Sequence, residues 1–424
     1  MNPALDLNRH PCFHAESHGH CGRIHLPVAP RCNLKCAYCN RRYNCVNESR
    51  PGVTSAVLSP HQAVGYLERV VAAEPRISVV GIAGPGDPFA NPDETLTTLR
   101  LVRERCPEML LCVATNALGL PPLLDELPAL GVTHVTVTVN AVDPAVGASL
   151  YAWARDGKVI YRGPEAAAVL LERQRLAVTG LKARGILVKV NCIVVPGVND
   201  HHVAEVARTV AGWGADVLNV MGLVPTAGTP LADVPEPGPE LLRELRAEAE
   251  RFLPQMRHCR RCRADAVGLL GEDRSGEFAP LLQEAAEAPP PLRTDRPHVA
   301  VATREGMLVN QHLGEARSFQ VWARKGAGFL LVEERPAPPP GGGPDRWRRL
   351  AEGLGDCRAV LVSGVGEGPR AILTEAGVVP IEMDGFIELG LSAVFSGVDP
   401  TRFRRRRAGC SRGPGCGGDG SGCG

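Results

Sequence analysis

From residue 23 to 256 short β-branched runs alternate with longer amphipathic stretches, and that alternation restricts the chain to crossover helices around a parallel sheet. The strands read as 24–28, 77–82, 110–114, 134–139, 187–195 and 217–221. A helix is expected after each, with Ser59-Pro60, Pro92 and Asp200 as start signals and a long last helix over 239–256. Right-handed crossovers then give an α/β fold, a partial (βα)6 barrel of the TIM type or an open sheet.

The run EAAEAPPPLRTDR, closed by Pro297, cannot continue a helix or pair inside a sheet, so 285–297 reads as a linker. A second, small α/β domain is expected over 298–400, with strands at HVAVAT, SFQVWAR, FLLVEER, AVLVSG and VVPIE and helices over 369–376 and near 386–394. Residues 336–344 read as a loop. Residues 1–22 form a segment rich in cysteine and histidine, and 401–424 a basic, glycine- and cysteine-rich tail. With 47 Lys or Arg against 46 Asp or Glu the net charge is +1, which argues against a nucleic-acid partner. No run of eighteen apolar residues exists to span a membrane. The polar N-terminus lacks a signal-peptide core, so a cytoplasmic protein is expected. Thiols stay reduced there, and the fifteen cysteines point to metal or redox chemistry rather than a disulfide framework.

Spacing carries that point further. Cys32, Cys36 and Cys39 form CxxxCxxC directly after the first strand, at the end of the sheet where parallel α/β folds place their sites. Three thiolates suit a [4Fe-4S] cluster with one iron left open, whereas a zinc knuckle would want a second CxxC nearby. With Asn33 and Tyr38, CNLKCAYC resembles the radical S-adenosylmethionine (SAM) superfamily. The resemblance implies SAM at the open iron, held by groups at the strand ends: Gly84, Gly86 and Asp87 in GIAGPGDPFANP, Thr115 and Asn116, Asn140, Asn191 and Met221. Each of these is, taken singly, as often a turn residue as a ligand.

HPCF at 10–13, the cysteine loop through 55, VTVTVNAVDP, VPGVND, NVMGLVPTAGT and HCRRCRADAVGLLGED together resemble the NifB family of nitrogenase cofactor biosynthesis proteins, with a NifX-like domain behind. Departures are TNA at 115–117 where TNG is expected, Cys21, and Cys192 in strand five. The family likeness implies two further [4Fe-4S] clusters as substrates, with His10, Cys12, Cys45, Cys112, Cys259 and Cys262 as candidate ligands. It also implies two uses of SAM, as donor of a methyl group and as source of the radical that abstracts hydrogen from it. The product would be an [8Fe-9S-C] precursor of the nitrogenase cofactor. Partners would be a cluster donor and cofactor carrier or scaffold proteins. Glu48, nine residues past the CxxxCxxC, is a candidate base, with an ordinary pair to Arg50 as the alternative. His312, in VNQHLGEARSFQVW, matches the cofactor-binding motif of NifX-like domains, with a solvent-exposed loop histidine as the equal alternative, and VSGVGEGP at 362–369 reads as an anion site or a plain turn. The CxxC at 259–262 is expected at a helix end, clamping one substrate cluster, with Arg257, Arg260, Arg261 and Arg263 offsetting its charge; zinc and a redox disulfide are the rival readings. Two other classes fit less of the sequence: a radical SAM maturase of RNA or peptide, and a non-catalytic cluster scaffold.

Overall fold

The computed structural model describes residues 5–47, 52–288, 292, 295–326 and 328–396. The chain divides into two compact units after Ala288. In the first, six parallel strands lie side by side in chain order: Gly22–His25, Ile77–Ile82, Leu110–Thr115, Val132–Thr138, Leu187–Val194 and Val217–Gly222. They make a curled, partial barrel, as expected. Helices Pro60–Ala73, Pro92–Arg105, Gly163–Ala183, Val203–Gly212 and Pro239–Ala249 cover its outside. The first starts with Ser59 in a reciprocal capping box with Gln62 and Pro60 at its first position.

Parallel strands buried under helices are usually apolar on both faces. These are not. Ile24, Val80, Leu111, Val113, Val135, Val137, Val188, Val190, Leu218 and Val220 point outward into the core against the helices. The alternate positions Arg23, His25, Gly81, Cys112, Ala114, Thr136, Lys189, Asn191, Asn219 and Met221 line the lumen. A strand shows every second residue to one face, so this inner polar row is written in the sequence as RIH, LCVA, KVN and LNVM.

Three features depart from the expected pattern. The helix read over 239–256 stops at Ala249; Pro254 has no N–H to give a helix, and the chain runs beside strand six instead, with Leu218 N bonded to Pro254 O and Met256 N to Leu218 O, each at 2.8 Å. The CxxC therefore lies in irregular backbone, not at a helix end. Next, Val267–Leu269 and Glu272–Asp273 add an antiparallel hairpin to the edge of strand one. Finally, Leu34–Cys36 joins the hairpin Tyr151–Asp156 and Val159–Arg162 in a small antiparallel sheet.

The last helix of the unit, Ser275–Glu287, runs three residues into the segment read as linker. In the second unit the strand order is Gly328–Pro336, Ser318–Lys325, His298–Val301, Cys357–Val362, Val379–Glu382, the last three parallel and the others antiparallel. Helices Glu367–Glu375 and Ile387–Ser396 were expected; Pro344–Gly353, which follows the glycine-rich loop with proline at its first position, was not.

Candidate functional site

Two groups of thiols occupy the barrel. Cys32, Cys36 and Cys39 line a small closed pocket with Cys45, Asn47, Asp87 and Asn116. Cys36 lies on the short strand that pairs with Tyr151–Asp156, so the small sheet fixes the cysteine loop over the carboxyl ends of the parallel strands. Asn116 Nδ2 reaches Cys32 Sγ at 3.9 Å and Asn47 Nδ2 reaches Cys36 Sγ at 3.5 Å. Burial pushes the Cys32 thiol up to about 12, with Asp87 adding to the shift, and raises Cys36 likewise. Cys32 and Cys36 therefore keep their protons until a metal centre displaces them. Three soft donors converging on one pocket, with amide N–H groups at the sulfurs, fit a [4Fe-4S] group held by three cysteines.

The residues expected to ring SAM divide by place. Asp87, 4% exposed, accepts from Thr115 Oγ1 at 2.9 Å, Asn116 N at 2.7 Å and Phe89 N at 2.9 Å, so its carboxylate fastens the GPGDP loop to the end of strand three. Gly86 was expected to let a ligand approach; here the chain's own backbone is what approaches. A Cβ on it would meet Arg31 O at 2.0 Å, and its N–H donates to Ala29 O at 2.6 Å. Gly84, at φ +141°, precedes a cis bond to Pro85. Asn140 sits behind the cysteine loop, donating to Tyr38 OH at 2.5 Å and accepting from Ile193 N at 2.8 Å. Asn191 and Met221 face the lumen instead. Asn191 donates to Asn47 O at 3.1 Å and accepts from Asn219 at 3.0 Å.

The lumen holds the second group: Cys12, Cys112, Cys259 and Cys262, with His10. Cys45, expected in this set, lines the first pocket, while the next two residues, Val46 and Asn47, line both. His10 and Cys12 enter at the amino ends of the strands, where Ser78 Oγ holds Arg9 O at 3.0 Å. The His10 ring packs 4.4 Å from His134, and its Nδ1 accepts from Cys12 N at 3.2 Å. Burial keeps His10 well below its ordinary value and therefore neutral, and lifts Cys12 to about 11. Cys259 Sγ lies 3.9 Å from Met221 Sδ, and Arg23 Nε donates to Cys262 Sγ at 3.2 Å. Of the four arginines beside the CxxC, Arg260 and Arg261 line the lumen. Arg257 pairs with Glu250, and Arg263 with Asp265.

Glu48 falls outside the described residues. His312, in the second unit, accepts from Gly314 N at 3.1 Å and packs on Gly364, where a Cβ would meet its ring at 2.7 Å. The histidine loop and the glycine-rich VSGVGEGP, read separately in the sequence, thus meet. Asn47, Arg23, Lys189 and Asn219 were missed; the polar alternation within strands one, five and six was the signal that could have found the last three.

The radical SAM superfamily matches residues 26–210, and the dinitrogenase iron-molybdenum cofactor family matches 296–397. The FeMo cofactor biosynthesis protein NifB of Chlorobaculum tepidum is 52% identical over 99% of this chain and 99% of its own length. The proteins of that name from Klebsiella pneumoniae, 41% identical over 88% of this chain and 86% of theirs, and Azotobacter vinelandii, 40% over 89% and 86%, are also similar. Among solved structures, methylornithine synthase matches 55% of this chain and 71% of its own at 16% identity and a TM-score of 0.37, too distant to add to this. Among the described residues no helix is long and apolar enough to cross a membrane. An identity of 52% along essentially the whole chain, over a barrel with a three-thiol pocket and a thiol-lined lumen, means that the chain belongs to the NifB family of FeMo cofactor biosynthesis proteins.

Proposed function

We propose that this chain is the radical SAM enzyme that joins two [4Fe-4S] substrate clusters, with a carbon from the SAM methyl group and one further sulfur, into the [8Fe-9S-C] precursor of the nitrogenase cofactor. The observation that carries the reading is the presence, in one barrel, of two thiol sets that share the wall Val46–Asn47. One set suffices for an ordinary radical SAM enzyme; the second needs a cargo.

Cys32, Cys36 and Cys39 would hold the resident cluster and leave one iron for SAM. When bound, that cluster supplies the electron that cleaves SAM. Asn47 and Asn116 orient the sulfurs, and the buried loop around Tyr38 and Asn140 excludes water from the pocket. His10, Cys12, Cys112, Cys259 and Cys262 would hold the substrate clusters, with Cys45 on the dividing wall. So sparse a ligand set leaves irons open, which a cargo that must be joined and then released requires. Glu48 would take the proton from the carbon intermediate. His312 with the Gly364 loop would receive the product for transfer to a carrier protein. A donor of iron–sulfur clusters completes the partners, in a reducing compartment such as the cytoplasm, where the twelve described cysteines, none of them in a disulfide, stay thiols.

Iron and sulfide quantification on the anaerobically reconstituted chain tests the reading, together with 5'-deoxyadenosine and S-adenosylhomocysteine assays. About twelve irons per chain and both SAM products are expected, from three cubane clusters. About four irons and no S-adenosylhomocysteine would reduce the protein to an ordinary radical SAM enzyme.

A further inference from the structure

The loop that carries Cys259 and Cys262 has no regular backbone, so its sulfurs need some other means of being aimed. Its entrance is tied to strand six through Met256 N and Leu218 O at 2.8 Å, and its exit to strand one through His25 Nδ1 and Arg263 O, also at 2.8 Å. Between these ties Arg261 takes φ +50°, a left-handed conformation that a residue with a side chain rarely adopts and that its surroundings must hold in place. One sulfur of the loop is gripped directly by a charged donor. Arg23 Nε, on the strand Gly22–His25, donates to Cys262 Sγ at 3.2 Å.

Arg23 is 2% exposed and is held at its far end as well. Its Nη1 donates to Gly268 O and, at 2.7 Å, to Leu269 O, both on the strand Val267–Leu269 that opens the edge hairpin. A guanidinium is planar, with its donors in fixed directions, so anchoring Nη1 on two carbonyls sets where Nε points. Burial works against the charge of Arg23, while Cys262, Cys12 and Asp273, the last on the hairpin's second strand, sustain it. The hairpin lies outside the row of six parallel strands and closes none of the crossovers. Its contacts give it a different task, that of a brace for one side chain.

We propose that Arg23 is the positioning residue of the CxxC: braced on the edge hairpin, its guanidinium fixes the Cys262 sulfur at the lumen wall, ready to take iron, and keeps an N–H···S bond on that sulfur when the substrate cluster is bound. The assignment rests on the reading of the lumen as a cargo site and names what orders one of its ligands. A sulfur fixed beforehand loses little freedom when it takes iron, so retention improves without a further ligand.

The test uses the full chain, reconstituted anaerobically, as Arg23→Gln, Cys262→Ala and the two combined. Release of iron to a ferrous chelator is followed in time, with the thermal midpoint as a check on folding. Arg23→Gln should lose lumen iron about tenfold faster than the wild type, the size of one hydrogen bond to a charged group. The double variant should keep and release iron as Cys262→Ala alone does, because Arg23 acts through that sulfur. The reduction midpoint of the lumen iron should also fall in Arg23→Gln, since a donor at the sulfur favours the more negative, reduced cluster; a looser fold alone would not move it. Arg23→Lys, whose single ammonium cannot bridge sulfur and hairpin, should release iron as Arg23→Gln does and replaces it if that variant does not fold. Release at the wild-type rate from the single Arg23 variants, an unchanged reduction midpoint, or an Arg23→Gln effect that persists in full when Cys262 is replaced, overturns the positioning role and leaves the cargo reading intact. A wild-type chain with only about four irons overturns the cargo reading and this inference with it.

Discussion

Asn47 touches both halves of the chemistry, since its side chain accepts from Tyr38 OH at 2.7 Å and donates to Cys36 Sγ, while its carbonyl accepts from Asn191. Asn47→Ala leaves the fully buried Tyr38 hydroxyl short of an acceptor, which should cost about 1–3 kcal/mol in denaturant unfolding and lower the iron retained at Cys32, Cys36 and Cys39. An unchanged unfolding midpoint with full iron would show that the residue is incidental. The next residue is expected to behave differently. Glu48→Gln removes a base and no ligand, so the variant should keep all its iron and cleave SAM yet yield no fused cluster; product at the wild-type rate rejects the role. Spacing made Cys32, Cys36 and Cys39 legible because ligand chemistry fixes their separation. Asn47 was not legible, as one asparagine in a cysteine loop looks like any turn residue. Ala117 shows a finer limit: the expected glycine of TNG has a physical basis, since the backbone there is at φ +67°, yet this chain places a buried alanine in it.

At the scale of elements, the six strands could be read to within two residues at either end, except that strand one begins and ends earlier than expected. The hairpin Tyr151–Asp156 and Val159–Arg162 went unread although its two-residue turn, Gly157-Lys158 with Gly157 at φ +60°, opens on a glycine as such turns do. The helical pattern on both sides concealed it. The loop with Cys259 and Cys262 was misread as a helix end, but its sulfurs reach the lumen as expected. Replacing both by alanine should remove about four irons and stop fusion while SAM is still cleaved; full iron content in the double variant would make the pair structural. A second element test concerns Glu74, which ends the Pro60–Ala73 helix and accepts from Arg76 and from Arg274, the residue before Ser275–Glu287. Those contacts, Arg76 first, hold its carboxyl at about 2, below the ordinary 4.5. A depressed folded value means that the unfolded chain binds the proton more readily, so the stability it adds is complete above about pH 4.5 and is lost as the pH falls through about 2. Melting curves of the wild type should steepen their decline across that window, and Glu74→Gln should flatten it.

At the scale of the molecule, the division after Ala288 and the concentration of the barrel's thiols before it predict that residues 1–288 fold alone. That fragment should melt in one cooperative transition, bind SAM and form the fused cluster in vitro, whereas a fragment that aggregates on expression would make the second unit part of the fold. The division was legible because proline-rich sequence cannot sustain either kind of regular structure; the helix through Glu287 moved its edge because Glu284, Ala285 and Ala286 favour helix until the prolines begin. The polar inner row of the barrel has a further consequence, for turnover. A barrel that gives its interior to charged and thiol side chains forgoes apolar packing there, and on the function proposed above it would recover stability by mass action from the clusters it holds. Emptied barrels would then open more often and be cut sooner by cellular proteases than filled ones. Iron supply would then set the abundance of this protein as well as its output, so its half-life should be shorter in iron-starved than in iron-replete cells.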